Sequence, residues 1–233
     1  MNNTTRMAKS DPTPKRLLCD VAFDEINRRI ITLHYGQGQT LHEKQLMAEL
    51  GIGRTPIREA LPRLAACGIL DSDPNGAWTV RPITLHHIKA IFEALEIMEM
   101  GVIGLAMRHD PASVLKQMKE AEGEVDVAIS AGDTLALVEA NHRFHMHFYE
   151  AAHNEYLVHG LCRIRFETKR LAYISYSHGP MQGDALTAHY QAVKREHAEM
   201  MDRLAAKNEA GLRETCRVHI SAFRERIIRY LST

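Results

Sequence analysis

Long apolar runs are missing from this 233-residue chain, and its first sixteen residues, MNNTTRMAKSDPTPKR, are polar. A membrane-spanning helix needs about 20 predominantly apolar residues and a secretory signal needs an apolar core. Neither is found, so a cytoplasmic protein with no membrane partner is expected. Cysteine is scarce: Cys19, Cys67, Cys162 and Cys216 lie far apart with no CxxC spacing. A disulfide framework or thiolate zinc site is thereby excluded, and the four read as reduced core residues. An excess of either charge is also lacking, because 29 basic side chains balance 29 acidic ones. Binding of nucleic acid through a general basic surface is ruled out, and any such contact must be a local patch. With 45% hydrophobic and 25% charged residues, the chain also lacks the composition of disordered proteins.

Histidine, by contrast, is abundant: 14 residues, of which only His34 precedes position 40. That excess points weakly to metal or proton chemistry. The sequence divides into a flexible arm (1–16), a first domain (17–82) and a second domain (83–233). In the first domain, Phe23, Ile26, Ile30 and Leu33 recur at helical spacing and stop before Gly36 and Gly38. A short helix over 43–50 ends at Gly51, and a third is expected from Thr55, capped by its hydroxyl, with Pro56 at the first helical position, to Cys67. Residues 69–72 and 78–81 flank Pro74-Asn75-Gly76, a hairpin signal. Three helices and a hairpin form a winged helix-turn-helix pattern, with Arg54 and Arg58 one turn apart at the start of the recognition helix. Beyond Pro82 the pattern is helical throughout. The fold class is mostly α, a winged helix-turn-helix followed by an all-α antiparallel helical bundle.

The stretch from Leu46 to Leu61, with Arg54-Thr55-Pro56-Ile57-Arg58-Glu59-Ala60-Leu61 at its heart, then Arg63-Leu64 and Gly68-Ile69-Leu70, resembles the DNA-binding domain of the GntR family of bacterial transcription regulators. The resemblance implies a homodimer bound to a double-stranded operator through Lys44, Arg54, Thr55 and Arg58, with Asn75 and Gly76 at the wing. Gly53 stands where the family usually has a capping Ser, Pro62 lies inside the recognition helix, and the wing tip carries no basic residue. Phe144-His145, Ala152-His153-Asn154, Glu196-His197 and His219 are similar to the FCD effector domain of the FadR-like subfamily. That likeness implies a small-molecule effector, often an organic acid, and a divalent metal held by three histidines and an acid. Here the acid's place is Asn141, and the place of an arginine that often holds the effector carboxylate is Leu95.

Spacing alone is permissive for the same site. Residues 141 and 145 are one helical turn apart, and His197 and His219 come level if the last two helices form an antiparallel hairpin about Lys207-Asn208. Asn141, His145, His197 and His219 would suit Zn²⁺ or another first-row divalent ion. His142 and His147 point elsewhere on the same helix in this reading. Arg163 and Arg170, two turns apart on one stripe, are candidates to receive an effector anion; surface pairing with Glu167 explains them equally well. Three functions compete: an effector-controlled DNA-binding regulator that is not an enzyme, a metal-dependent hydrolase with Glu196 as base, and a scaffold that has lost DNA binding through Pro62.

Overall fold

The computed structural model describes residues 17–73, 76–179 and 183–231. The expected arm, together with Pro74 and Asn75, lies outside them. In the N-terminal unit, α1 (Leu18–Ile31), α2 (Glu43–Leu50) and α3 (Arg54–Ala66) pack on a three-stranded antiparallel sheet of β1 (Thr40–Leu41), β2 (Leu70–Ser72) and β3 (Trp78–Val80), ordered β1-β3-β2. The register pairs Leu41 with Trp78 and Leu70 with Val80. Ile26, Ile30, Leu46, Ile57, Leu61 and Leu64 close the core from one face of each helix. The hairpin closes on Asp73, whose backbone carbonyl accepts from the Gly76 N–H at 3.0 Å, with Gly76 at φ 80°.

One local expectation needs correction. The recognition helix starts at Arg54, with Gly53 as N-cap and no side-chain cap, so Thr55 is already helical and its hydroxyl caps nothing. With β-region angles of −63° and 167°, Gly53 lets its own carbonyl begin the hydrogen-bond ladder, bonding the Ile57 N–H. As expected, helix α3 runs through Pro62, to Ala66, because buried Leu61 and Leu64 anchor both sides of the missing donor. Strand β1 went unanticipated, its two residues being too few to show a period.

The rest is helical among the described residues: α4 (Leu85–Ala106), α5 (Ala112–Ala131), α6 (Thr134–Glu150), α7 (Glu155–Ser177), α8 (Gly183–Ala205) and α9 (Glu209–Leu231). Thr84, Asp133 and Asn154 cap α4, α6 and α7 with side-chain oxygens. Leu95, Val102, Phe144, Phe148, Leu161, Met200 and Leu212 belong to one continuous core. No described helix is long and apolar enough to cross a membrane.

Candidate functional site

Helices α6, α8 and α9 deliver His145, His197 and His219 to one point in the bundle. All three are buried, and one ligand atom from each lies within 4.8 Å of the others. The rings of His197 and His219 are 5.1 Å apart by centroid, and His145 stands 5.2 Å and 5.1 Å from them. Phe144 stacks on His197 at 3.9 Å and fixes that ring. The carboxylates come from other helices than the rings they hold: Glu122 Oε2 of α5 lies 2.7 Å from His197 Nδ1, and Glu196 Oε2 of α8 lies 2.7 Å from His219 Nδ1. A carboxylate on Nδ1 favours the tautomer with a proton there and turns the Nε2 lone pair toward the centre. His197 Nε2 and both ring nitrogens of His145 are buried with no protein partner. Burial holds His145 well below the usual imidazole range and pushes His197 down to about 3, so both are neutral, the form that ligates metal. Burial also lifts the Glu122 carboxyl to about 7. The orphaned nitrogens and the two orienting carboxylates fit a divalent ion.

Beside the histidines runs a cavity bounded by α6, α7, α8 and α9. Asn141 lines it, one turn before His145, as the spacing required. Arg165 lines it as well, a residue that no spacing in the sequence singles out. Its Nη2 donates to Glu99 Oε1 at 2.7 Å and its Nε to the Tyr149 hydroxyl, which itself donates to Glu99. At the other end Arg226 donates from Nε to Ser175 Oγ at 3.1 Å and lies over the Tyr176 ring at 4.3 Å. The cavity therefore holds guanidinium groups from α7 and α9. No repeating motif marks them, since their partners are dozens of residues away. Leu95, the aligned place of the effector arginine, is 1% exposed within the apolar core.

Arg163 and Arg170 do not line this cavity, contrary to their assignment as effector contacts. They share the face of α7 that carries the N-terminal unit, while 165, 168, 172 and 176 face the cavity. Arg170 is fully buried and its Nη1 donates to the Arg81 carbonyl at 2.6 Å. Arg163 lies against Gly68, where a Cβ would meet its Nε at 3.4 Å. His142 is corrected too: it lines the cavity, and burial lowers its imidazole to about 3. His147 is held to Glu150 at 3.0 Å, outside the site. Glu196, the acid considered as a general base, is occupied by His219.

On α2 and α3 of the N-terminal unit Lys44, Arg54, Thr55 and Arg58 are all exposed. Arg54 and Arg58 are 68% and 65% exposed and reach Glu43 at 3.6 Å and 3.4 Å. Such surface pairs are worth at most about 1 kcal/mol, so a phosphate or base edge can displace them. Gly76 is exposed at the wing; Asn75 lies outside the described residues.

The comparisons agree with this layout. Residues 18–80 match the model of "bacterial regulatory proteins, gntR family" and residues 90–222 match the FCD domain. The chain is 25% identical over 221 residues to a probable D-xylose utilization operon transcriptional repressor of Paenarthrobacter nicotinovorans, covering 91% of this chain and 92% of that one. It is 25% identical to the regulator McbR of Escherichia coli over 184 residues, 77% of each chain. Among solved structures, E. coli McbR/YncC superposes with a TM-score of 0.75 at 19% identity, covering 92% of this chain and 98% of that one. A putative GntR regulator from Rhodococcus sp. RHA1 gives 0.70 at 19% identity, covering 90% and 97%. The relatives and neighbours are transcriptional regulators, which removes the hydrolase reading.

Proposed function

The chain belongs to the gntR family of bacterial DNA-binding transcription regulators with an FCD effector domain, and on that premise we propose that a small anion held in the bundle cavity, beside a divalent metal site, sets its affinity for an operator. The observation that carries this reading is the cluster of three buried imidazoles, two of them oriented by carboxylates, one of which, His219, lines a cavity that also presents Arg165 and Arg226. His145, His197 and His219 would hold the ion, with Zn²⁺ suited to the nitrogen donors, and Asn141 is one turn away to add an amide oxygen. A bound ion supplies two positive charges that neutral donors leave uncompensated, which favours an anionic effector. Arg165 would bind and orient that anion, its side chain already fixed by Glu99 and Tyr149. Binding DNA as a homodimer on a palindromic site follows from the single recognition helix per chain, which reads only a half-site.

Elemental analysis of protein purified without a histidine tag tests the metal. The parent is expected to hold about one divalent ion per chain, His197→Ala to hold none, and Asn141→Asp to retain the ion through a longer chelator wash. A parent without metal that gains none when Asn141→Asp is supplied with Zn²⁺ would reduce these histidines to packing.

A further inference from the structure

The bundle cavity and a cleft between the two structural units share a wall. His142 and Lys169 line both: the cavity on one side, and on the other a cleft bounded by Val21, Asn27 and Arg28 of α1. Phe166 completes the wall and points the other way, packed against the N-terminal core although it belongs to α7. Its ring lies 5.7 Å from the His142 ring, and 5.8 Å from Phe23 of α1 in an edge-on contact at 89°. The Lys169 ammonium sits 5.3 Å from the same ring. A continuous chain of packed side chains thus runs from the cavity through His142 and Phe166 to Phe23.

We propose that this wall is the switch element: a ligand filling the cavity displaces His142 and Lys169, and Phe166 then releases its hold on α1. The inference rests on the reading of the cavity as the effector site. Two further features support a contact built to open. Asn27 Oδ1 and His142 Nδ1 are buried here without a protein partner, as are Nε and Nη2 of Arg170 nearer Arg81, so protein groups of the docked arrangement leave these atoms unpaired. And Arg170 ties α7 to the Arg81 carbonyl, at the joint between the units, which gives the N-terminal unit a pivot when α1 lets go. A ligand shifts such an equilibrium only through unequal affinity for the two arrangements, and a wall it must push aside supplies that inequality.

Side chains can stand in for the unidentified effector. Ala222 and Val193 line the cavity, so Ala222→Leu and Val193→Phe in the full-length chain fill it from α9 and α8. Hydrogen exchange of the α1 amides is expected to quicken at least fivefold in either variant, and to quicken no further when either is combined with Phe166→Ala. His142→Ala, which thins the wall without filling the cavity, is expected to quicken it at least threefold, again without addition to Phe166→Ala. Exchange within twofold of the parent in whichever of these three variants keep the parent's circular dichroism, or effects that multiply with Phe166→Ala, would overturn the proposal. Loading with Zn²⁺ alone, followed by elemental analysis, separates the two readings: absence of bound ion sinks the metal site and leaves the exchange results to decide the wall.

Discussion

At the scale of single residues, the site's demands appear as buried charges that need partners. Glu99 and Arg165 are 0% and 4% exposed, meet at 2.7 Å and share the Tyr149 hydroxyl. Removing one member of such a pair leaves the other charge buried and uncompensated, at a cost of about 3–5 kcal/mol. Arg165→Met is therefore expected to lower stability by that amount in urea unfolding, and Arg165→Met combined with Glu99→Leu to recover most of it. A double variant as unstable as the single one would mean that Arg165 matters through packing instead of pairing. At the exposed arginines of α3 the logic reverses. Arg58 is 65% exposed and has only a weak pair with Glu43, so Arg58→Ala is expected to leave the unfolding midpoint unchanged. In a gel shift on its selected operator the same variant should lose at least tenfold in affinity, as the deletion of a bidentate base contact does.

At the scale of elements, the recognition helix carries the local conflict. Pro62 sits inside α3 at an exposed position and denies the Arg58 carbonyl its helical donor. Proline costs about 3 kcal/mol relative to alanine inside a helix, part of which the fold has already absorbed. Pro62→Ala should therefore raise the stability of the N-terminal unit by about 1–3 kcal/mol, read as a shift of the urea midpoint at constant m. No gain would show that α3 is shaped to suit the proline.

The whole molecule is expected to weaken in mild acid. The folded imidazoles of His142 and His197 titrate at about 3 and His189 at about 4, burial being the leading cause in each, against about 6.5 in an unfolded chain. Between those values the unfolded state binds protons that the folded state refuses, so stability present above pH 6.5 is lost as pH falls toward 4. Glu122, raised to about 7, works in the opposite direction: the proton it holds when folded favours the native state below that value. One carboxyl is outweighed by several buried histidines. Urea midpoints measured from pH 7.5 to 4.5 should fall continuously, and a flat profile would mean that these rings are hydrated in solution.

Much of this protein was written along the chain. The helices were legible because apolar residues recur every three or four positions and because Gly51 and Pro56 mark ends in the first domain. His197 and His219 could be brought level in advance, since helical rise and one short joint fix which residues of α8 and α9 face each other; His145 on α6 entered only through the family resemblance. What remained hidden depends on how whole elements rotate against one another. The chain shows Arg163, Arg165 and Arg170 on one helix, but only the packing of α7 between the two units decides that Arg165 faces the cavity while Arg170 reaches the Arg81 carbonyl. Glu99, Glu122 and Arg226 likewise acquire their roles from partners 37 to 75 positions away. Periodicity determines which side chains share a face of a helix. What that face meets is decided by tertiary burial, where each charge must find its partner or stay in water.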